Sequence, residues 1–204
     1  MCCIMKCILK SSVLTFCFFL MCAKPCLAEI QLLEDKPSYA LNIYGGRMTD
    51  NSIDDFGDNF LGINFEDSYL LTMALARRIA TLDELASFEV EGQMVKHFDQ
   101  QDHWEFNALL TARWEAFFWD KHLDTSFAVG AGPSYATHVP EIEVQRSGGS
   151  ERLQVYMMVE LEFTLPSHPN MAVITRVHHR SNAFGIVADD GTSNALAFGL
   201  KFRF

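Results

Sequence analysis

The 204-residue chain is 49% hydrophobic, 12% aromatic and 21% charged, which suits one folded domain and excludes a disordered chain. Its 16 Lys and Arg against 26 Asp and Glu give a net charge of −10, which argues against nucleic acid as a partner, because that binding depends on neutralising phosphates. All six cysteines, from Cys2 to Cys26, precede the bulk of the chain, so a disulfide scaffold, a zinc–cysteine centre and a cysteine nucleophile are excluded downstream of them.

Residues 1–28 read as a secretory signal peptide. Lys6 and Lys10 open it, and Val13 to Cys22 form an apolar run too short to span a bilayer as a helix. Cys26-Leu27-Ala28 places small residues where a signal peptidase reads them. A lipoprotein signal is the rival, but Met21 and Pro25 stand before Cys22 and Cys26, where a small residue is expected. Cleavage after Ala28 leaves an exported chain, residues 29–204, and removes Lys6, Lys10 and Lys24. That takes the balance to 13 against 26, a net of −13. No later stretch is apolar enough for a membrane helix, so any membrane span must be made of strands.

Eight segments alternate with period 2, the pattern of strands with two unlike faces. In chain order they are Tyr39 to Met48, Tyr69 to Ile79, Ala86 to Phe98, Trp104 to Phe118, Leu123 to Tyr135, Leu153 to Phe163, Met171 to Arg180 and Asn194 to Phe204. From Leu153 to Phe163 every odd position is apolar, while the even ones include Gln154, Glu160 and Glu162. From Trp104 the even positions are apolar and the others carry Glu105, Asn107, Thr111, Arg113 and Glu115. In the fifth segment Phe127, Val129, Ala131, Pro133 and Tyr135 oppose the small residues Ser126, Ala128, Gly130, Gly132 and Ser134.

These features predict an all-β fold: an eight-stranded antiparallel up-and-down transmembrane barrel of the outer-membrane type. The connections support it. Residues 49–68, 137–150 and 181–193 are long, 80–85, 119–122 and 165–170 are short, and 99–103 are intermediate. Outer-membrane barrels pair short periplasmic turns with longer outer loops. The last strand ends on Phe204, and a terminal aromatic resembles the insertion signal of bacterial outer-membrane proteins. A soluble sandwich or lipocalin-like barrel would instead expose the acids and enclose the large aromatics. In the membrane barrel Glu105, Glu115, Glu160, Glu162, Arg113 and Arg176 pair inside and plug the narrow lumen, so a water-filled pore is not expected.

In the seventh segment Arg176 and Arg180 must face the lumen, because a charge facing lipid is destabilising. His179 and Ser181 then face outward as i, i+2 neighbours, and His178 faces inward. A hydroxyl beside an imidazole is the minimum for an activated serine nucleophile. Asn194, on the outward face of the last strand, is placed to reach His179 across the strand pair.

His179-Arg-Ser-Asn-Ala183, then Gly185, then Asp190-Gly191 and a closing strand resemble the PagL family of lipid A 3-O-deacylases. Phe127 to Tyr135 resembles that family's Gly-rich fifth strand, and Leu153 to Arg180 its sixth and seventh. The resemblance covers about residues 104–204. It implies an eight-stranded barrel in the outer membrane of a Gram-negative bacterium that removes an acyl chain from lipid A with a Ser-His-Glu triad on its outer surface. Carried over, Ser181 is the nucleophile, His179 the general base, and Asn182 and Gly185 shape the oxyanion site. The family's Glu falls on Ser193, which points inward. Counting Phe184 as an insertion moves the outward position to Asn194, which holds the imidazole as an amide does in Cys-His-Asn proteases. Asp189 or Asp190 could substitute if the loop folds back.

No metal or cofactor is needed for this chemistry. The expected partners are lipid A or lipopolysaccharide, outer-membrane lipid and the barrel assembly machinery. The alternative is a non-catalytic structural or surface-interaction barrel with a degenerate triad, acting through the loops Ile53 to Asn64 or Val139 to Ser150.

Overall fold

A strand that is apolar on one face and charged on the other needs two different surroundings, and closing the sheet on itself supplies both. The computed structural model describes residues 30–32, 38–53 and 55–204. The leader read at 1–28 and the cysteines lie outside the described residues. A short strand β1 (Ile30–Leu32) precedes the eight strands of the barrel: β2 (Ser38–Thr49), β3 (Phe65–Leu82), β4 (Ala86–Asp99), β5 (Trp104–Trp114), β6 (Asp124–Ala136), β7 (Leu153–Thr164), β8 (Met171–Ser181) and β9 (Thr192–Arg203). Each pairs antiparallel with the next, and β2 pairs with β9, so the sheet closes. The protein is a closed eight-stranded antiparallel barrel. No helix among the described residues is long and apolar enough to cross a membrane, so any crossing is by strands.

The faces separate as the alternation predicts. In β7 Gln154, Glu160 and Glu162 are buried inside, while Val159 and Leu161 are exposed outside. The outer wall carries exposed Leu71, Met73, Leu75, Leu110, Val173 and Phe198. An apolar band of this extent marks a lipid-facing surface. Aromatic girdles bound it: Phe65, Tyr69, Phe98, Trp104 and Tyr135 at the long-loop end, and Phe118, Trp119, Phe202 and Phe204 at the other. Outward cations lie over girdle rings, with Arg47 5.4 Å from the Tyr69 centroid and Lys96 5.5 Å from that of Trp104. Such side chains keep their stems on the apolar wall and their charges at the interface.

The lumen is filled by ion pairs. Arg113 and Lys201 each donate 2.8 Å hydrogen bonds to Glu160 Oε1, and Arg176 Nε donates to Oε2 at 2.8 Å. Arg176 also binds Glu91 at 2.6 Å. Glu115 closes the short-turn end through Arg78 and Ser87. Small residues on β6 let the wall close beside this plug. A Cβ on Gly132 would lie 1.9 Å from Ala108 O and 2.8 Å from Leu109 Cα, both backbone atoms that cannot step aside. Gly132→Ala is therefore expected to lower the unfolding free energy by about 1–3 kcal/mol, seen as a lower urea midpoint.

Two strands depart most from the expected bounds. β3, expected from Tyr69 to Ile79, runs from Phe65 to Leu82. The strand expected to reach Phe118 ends at Trp114, and the expected 119–122 turn occupies 115–123. Polar groups explain the early end of β5: the Trp114 indole donates to Ala116 O at 2.9 Å, and Phe117 N–H donates to Asp120 Oδ2 at 2.7 Å. These local bonds take the chain out of the ladder even though the alternation continues. Between β4 and β5 only 100–103 remain, so that connection is shorter than 115–123 at the opposite end.

The long loops are built into the barrel. The 50–64 loop carries α1 (Asp55–Asp58), and 137–152 carries α2 (Glu141–Ser147). α2 lowers Ile142 and Glu143 into the lumen, where Glu143 accepts from Arg180 at 2.9 and 2.8 Å and from Ser193 at 2.8 Å. Arg146 reaches Glu66 at 2.6 Å and also Thr49 O, which ties α2 to the adjoining ends of β2 and β3.

Candidate active site

β8 and β9 pair so that His179 lies directly opposite Asn194. Both are on outward-facing positions, yet both are buried, and Asn194 is next to Thr49 of β2 in the same register. Cover comes from the 50–64 loop: Asn194 Nδ2 donates to Asn51 O at 2.8 Å, and Ile53 lines the same outer-wall groove as His179.

These contacts determine a tautomer. Asn51 O only accepts, so the Asn194 amide must turn its NH₂ towards it and its Oδ1 towards the imidazole. His179 Nδ1 is 2.6 Å from that Oδ1. Nδ1 therefore carries the proton, and Nε2 keeps its lone pair, as a general base requires. Among the described residues Nε2 has no hydrogen-bond partner. Asp189 and Asp190 are exposed and do not reach the ring, and Ser193 points inward to Glu143.

Ser181 closes β8, two residues beyond His179 on the same face, a separation of about 7 Å along the strand. Its Oγ accepts a 3.1 Å hydrogen bond from Ala183 N–H. The chain then turns through three consecutive left-handed residues, Ala183 (φ 53°), Phe184 (φ 59°) and Gly185 (φ 79°). Only glycine adopts this region freely, so the turn is strained at the first two positions. Asn182 braces it: its N–H donates to Gly191 O at 3.1 Å and its side chain to Asp189 O at 3.0 Å. The Asn182 backbone N–H and one of its two side-chain N–H groups are thus engaged within the loop. Phe184 N–H and Gly185 N–H have no acceptor among the described residues.

From His179 an apolar groove of about 690 Å³ runs down the outer wall past Met157, Val159, Val129 and Leu110 to Ile79 and Ile30 near the short-turn end. That volume falls in the ordinary range for small-ligand sites. Small outward residues, Ala112 and Ala131, make the depression between larger neighbours. The sequence candidates His179, Ser181, Asn194, Asn182 and Gly185 thus lie together on β8, β9 and their connecting loop. Sequence reasoning missed Asn51 and Ile53, since nothing in the alternation shows that their loop folds back over the wall.

No protein-family model matches the chain, and no curated protein matches it by sequence. Among solved structures the barrel is similar to the outer membrane enzyme PagL, with a TM-score of 0.55 and 10% identity over 79% of this chain and 98% of that one. It is also similar to Neisserial surface protein A, with a TM-score of 0.50 and 12% identity over 83% of this chain and 100% of that one. What the chain shares with these structures is the fold of an outer-membrane eight-stranded barrel.

Proposed function

We propose that the protein is an esterase of the Gram-negative outer membrane that hydrolyses an acyl ester of lipid A, with Ser181 as nucleophile and His179 as general base. The supporting observation is the His179–Asn194 hydrogen bond on the lipid-facing wall, which leaves Nε2 free two residues from Ser181 at the head of an apolar groove. The likeness to the enzyme PagL and the His-x-Ser-Asn-Ala segment agree with it.

In this reading the long loops face outward and the 1–28 leader directs export. The acyl chain lies in the groove with its ester at the interface. Ser181 Oγ bonds to the ester carbonyl carbon while His179 Nε2 takes the hydroxyl proton. The Phe184 and Gly185 N–H groups stabilise the developing oxyanion. The C–O bond to the sugar breaks, and His179 returns the proton to the leaving oxygen. Water, deprotonated by His179, then releases the fatty acid and restores Ser181.

Incubating the purified barrel with lipid A in detergent micelles tests this. Mass spectrometry is expected to show loss of one hydroxyacyl chain. Intact lipid A in the presence of folded protein would overturn the proposal. Asn194→Ala removes the group that orients the ring and is expected to lower kcat by about 10²–10³-fold with KM little changed.

A second reading, a non-catalytic surface barrel, is favoured by one observation: the residue orienting His179 is an amide, which cannot stabilise an imidazolium as a carboxylate does.

A further inference from the structure

The lumen holds another cluster of imidazoles. His97 of β4, Glu105 of β5 and His178 of β8 converge near the long-loop end, all buried. His97 Nε2 is 2.9 Å from Glu105 Oε2, and His178 Nε2 is 3.1 Å from Oε1. One ligand atom from each residue lies within 4.8 Å of the other two. The carboxylate is held in place, with Asn107 Nδ2 donating to Oε1 at 2.7 Å and Ser134 Oγ at 3.3 Å. The charges around it are accounted for: Arg180, which binds the same Ser134, is neutralised by Glu143.

Four buried polar atoms around this group have no hydrogen-bond partner: Gln101 Oε1, Asn107 Oδ1, His178 Nδ1 and Nε2 of His103, whose ring stacks on His97 with centroids 4.3 Å apart. Buried polar atoms are nearly always paired, so such a concentration calls for an explanation. Gln101 Nε2 lies 3.1 Å from His97 Nδ1, and turning that amide over would present Oε1 to an Nδ1–H instead. The His97 Nε2 lone pair would then face the carboxylate, an arrangement that a cation between them satisfies. A backbone or carboxamide oxygen on the far nitrogen is the usual outer support of a metal-bound histidine.

We infer that His97, Glu105 and His178 bind a divalent transition-metal ion of the zinc class through two imidazole nitrogens and one carboxylate. Two His and one Glu make a recognised donor set for such ions, with the fourth position left to water. The ion would tie β4 to β8, which are not neighbours in the sheet, across the long-loop end of the lumen. It would also steady the strand that presents His179, the residue after His178.

The test uses the tag-free barrel in detergent micelles, stripped with EDTA and titrated calorimetrically with zinc chloride. One site per chain is expected, with affinity falling at least about 100-fold in His97→Gln and in His178→Gln. A variant with the exposed His122, His138 and His168 all changed to Gln should bind as the parent does. Zinc should also raise the parent's unfolding temperature. No binding, or binding equal in the parent and both lumen variants, would overturn the inference. Should the lumen variants fail to fold, X-ray absorption at the zinc edge of the loaded parent decides: two imidazoles and a carboxylate support the site, and any other donor set refutes it.

Discussion

Ser181→Ala and His179→Ala are each expected to lower lipid A deacylation by about 10⁴–10⁶-fold, and the double variant by no more than either alone. A nucleophile and its base act as one unit, so removing either removes the same step. The residual rate would come from the groove and the loop amides, which both variants keep. Ser181 lies at the end of β8 and is only half-buried, so its hydroxyl is removed with little effect on folding. His179 is buried against Asn194, and its loss also leaves Asn194 Oδ1 without a partner. The readout is fatty-acid release from lipid A in micelles, measured beside the urea midpoint of each variant. Additive losses in the double variant would show that the two residues do not act together.

Glu160→Ala is expected to destabilise the barrel by about 3–5 kcal/mol, a large part of the about 5–15 kcal/mol typical of a folded domain. Glu160 is fully buried and accepts from Arg113, Arg176 and Lys201, three cations with no access to water. Truncating the acid leaves them facing one another with Glu89, Glu91 and Glu162 as the remaining counter-charges. The loss comes from stranded charge, so Glu160→Gln, which keeps an acceptor oxygen, should lose less than Ala. The urea midpoint in micelles measures both. Equal midpoints for the parent and the Ala variant would show that the lumen is hydrated enough to solvate the cations.

Strand number, the assignment of faces and the ionic lumen were legible in the sequence. A period-2 pattern has only two registers, and placing Arg176 and Arg180 inside decides between them for β8. The same parity places Lys201 inside and Asn194 outside on β9. The strand end at Trp114 was not legible, because a polar bond from its indole to Ala116 O overrides an alternation that runs on past it.

For the site, the sequence by itself determined that His179, Ser181 and Asn194 share the outward face, since parity along each strand is a local property. Only the tertiary structure decided that His179 stands opposite Asn194, because register depends on how the 182–191 loop closes. It also decided the tautomer, through Asn51 O, from a loop more than a hundred residues away in the chain. The His97–Glu105–His178 cluster arises in the same way: three strands supply one inward residue each, and only closure of the sheet brings them to one point. Parity says which face a side chain takes; which distant side chain it meets there depends on register and closure, which the alternation alone does not encode.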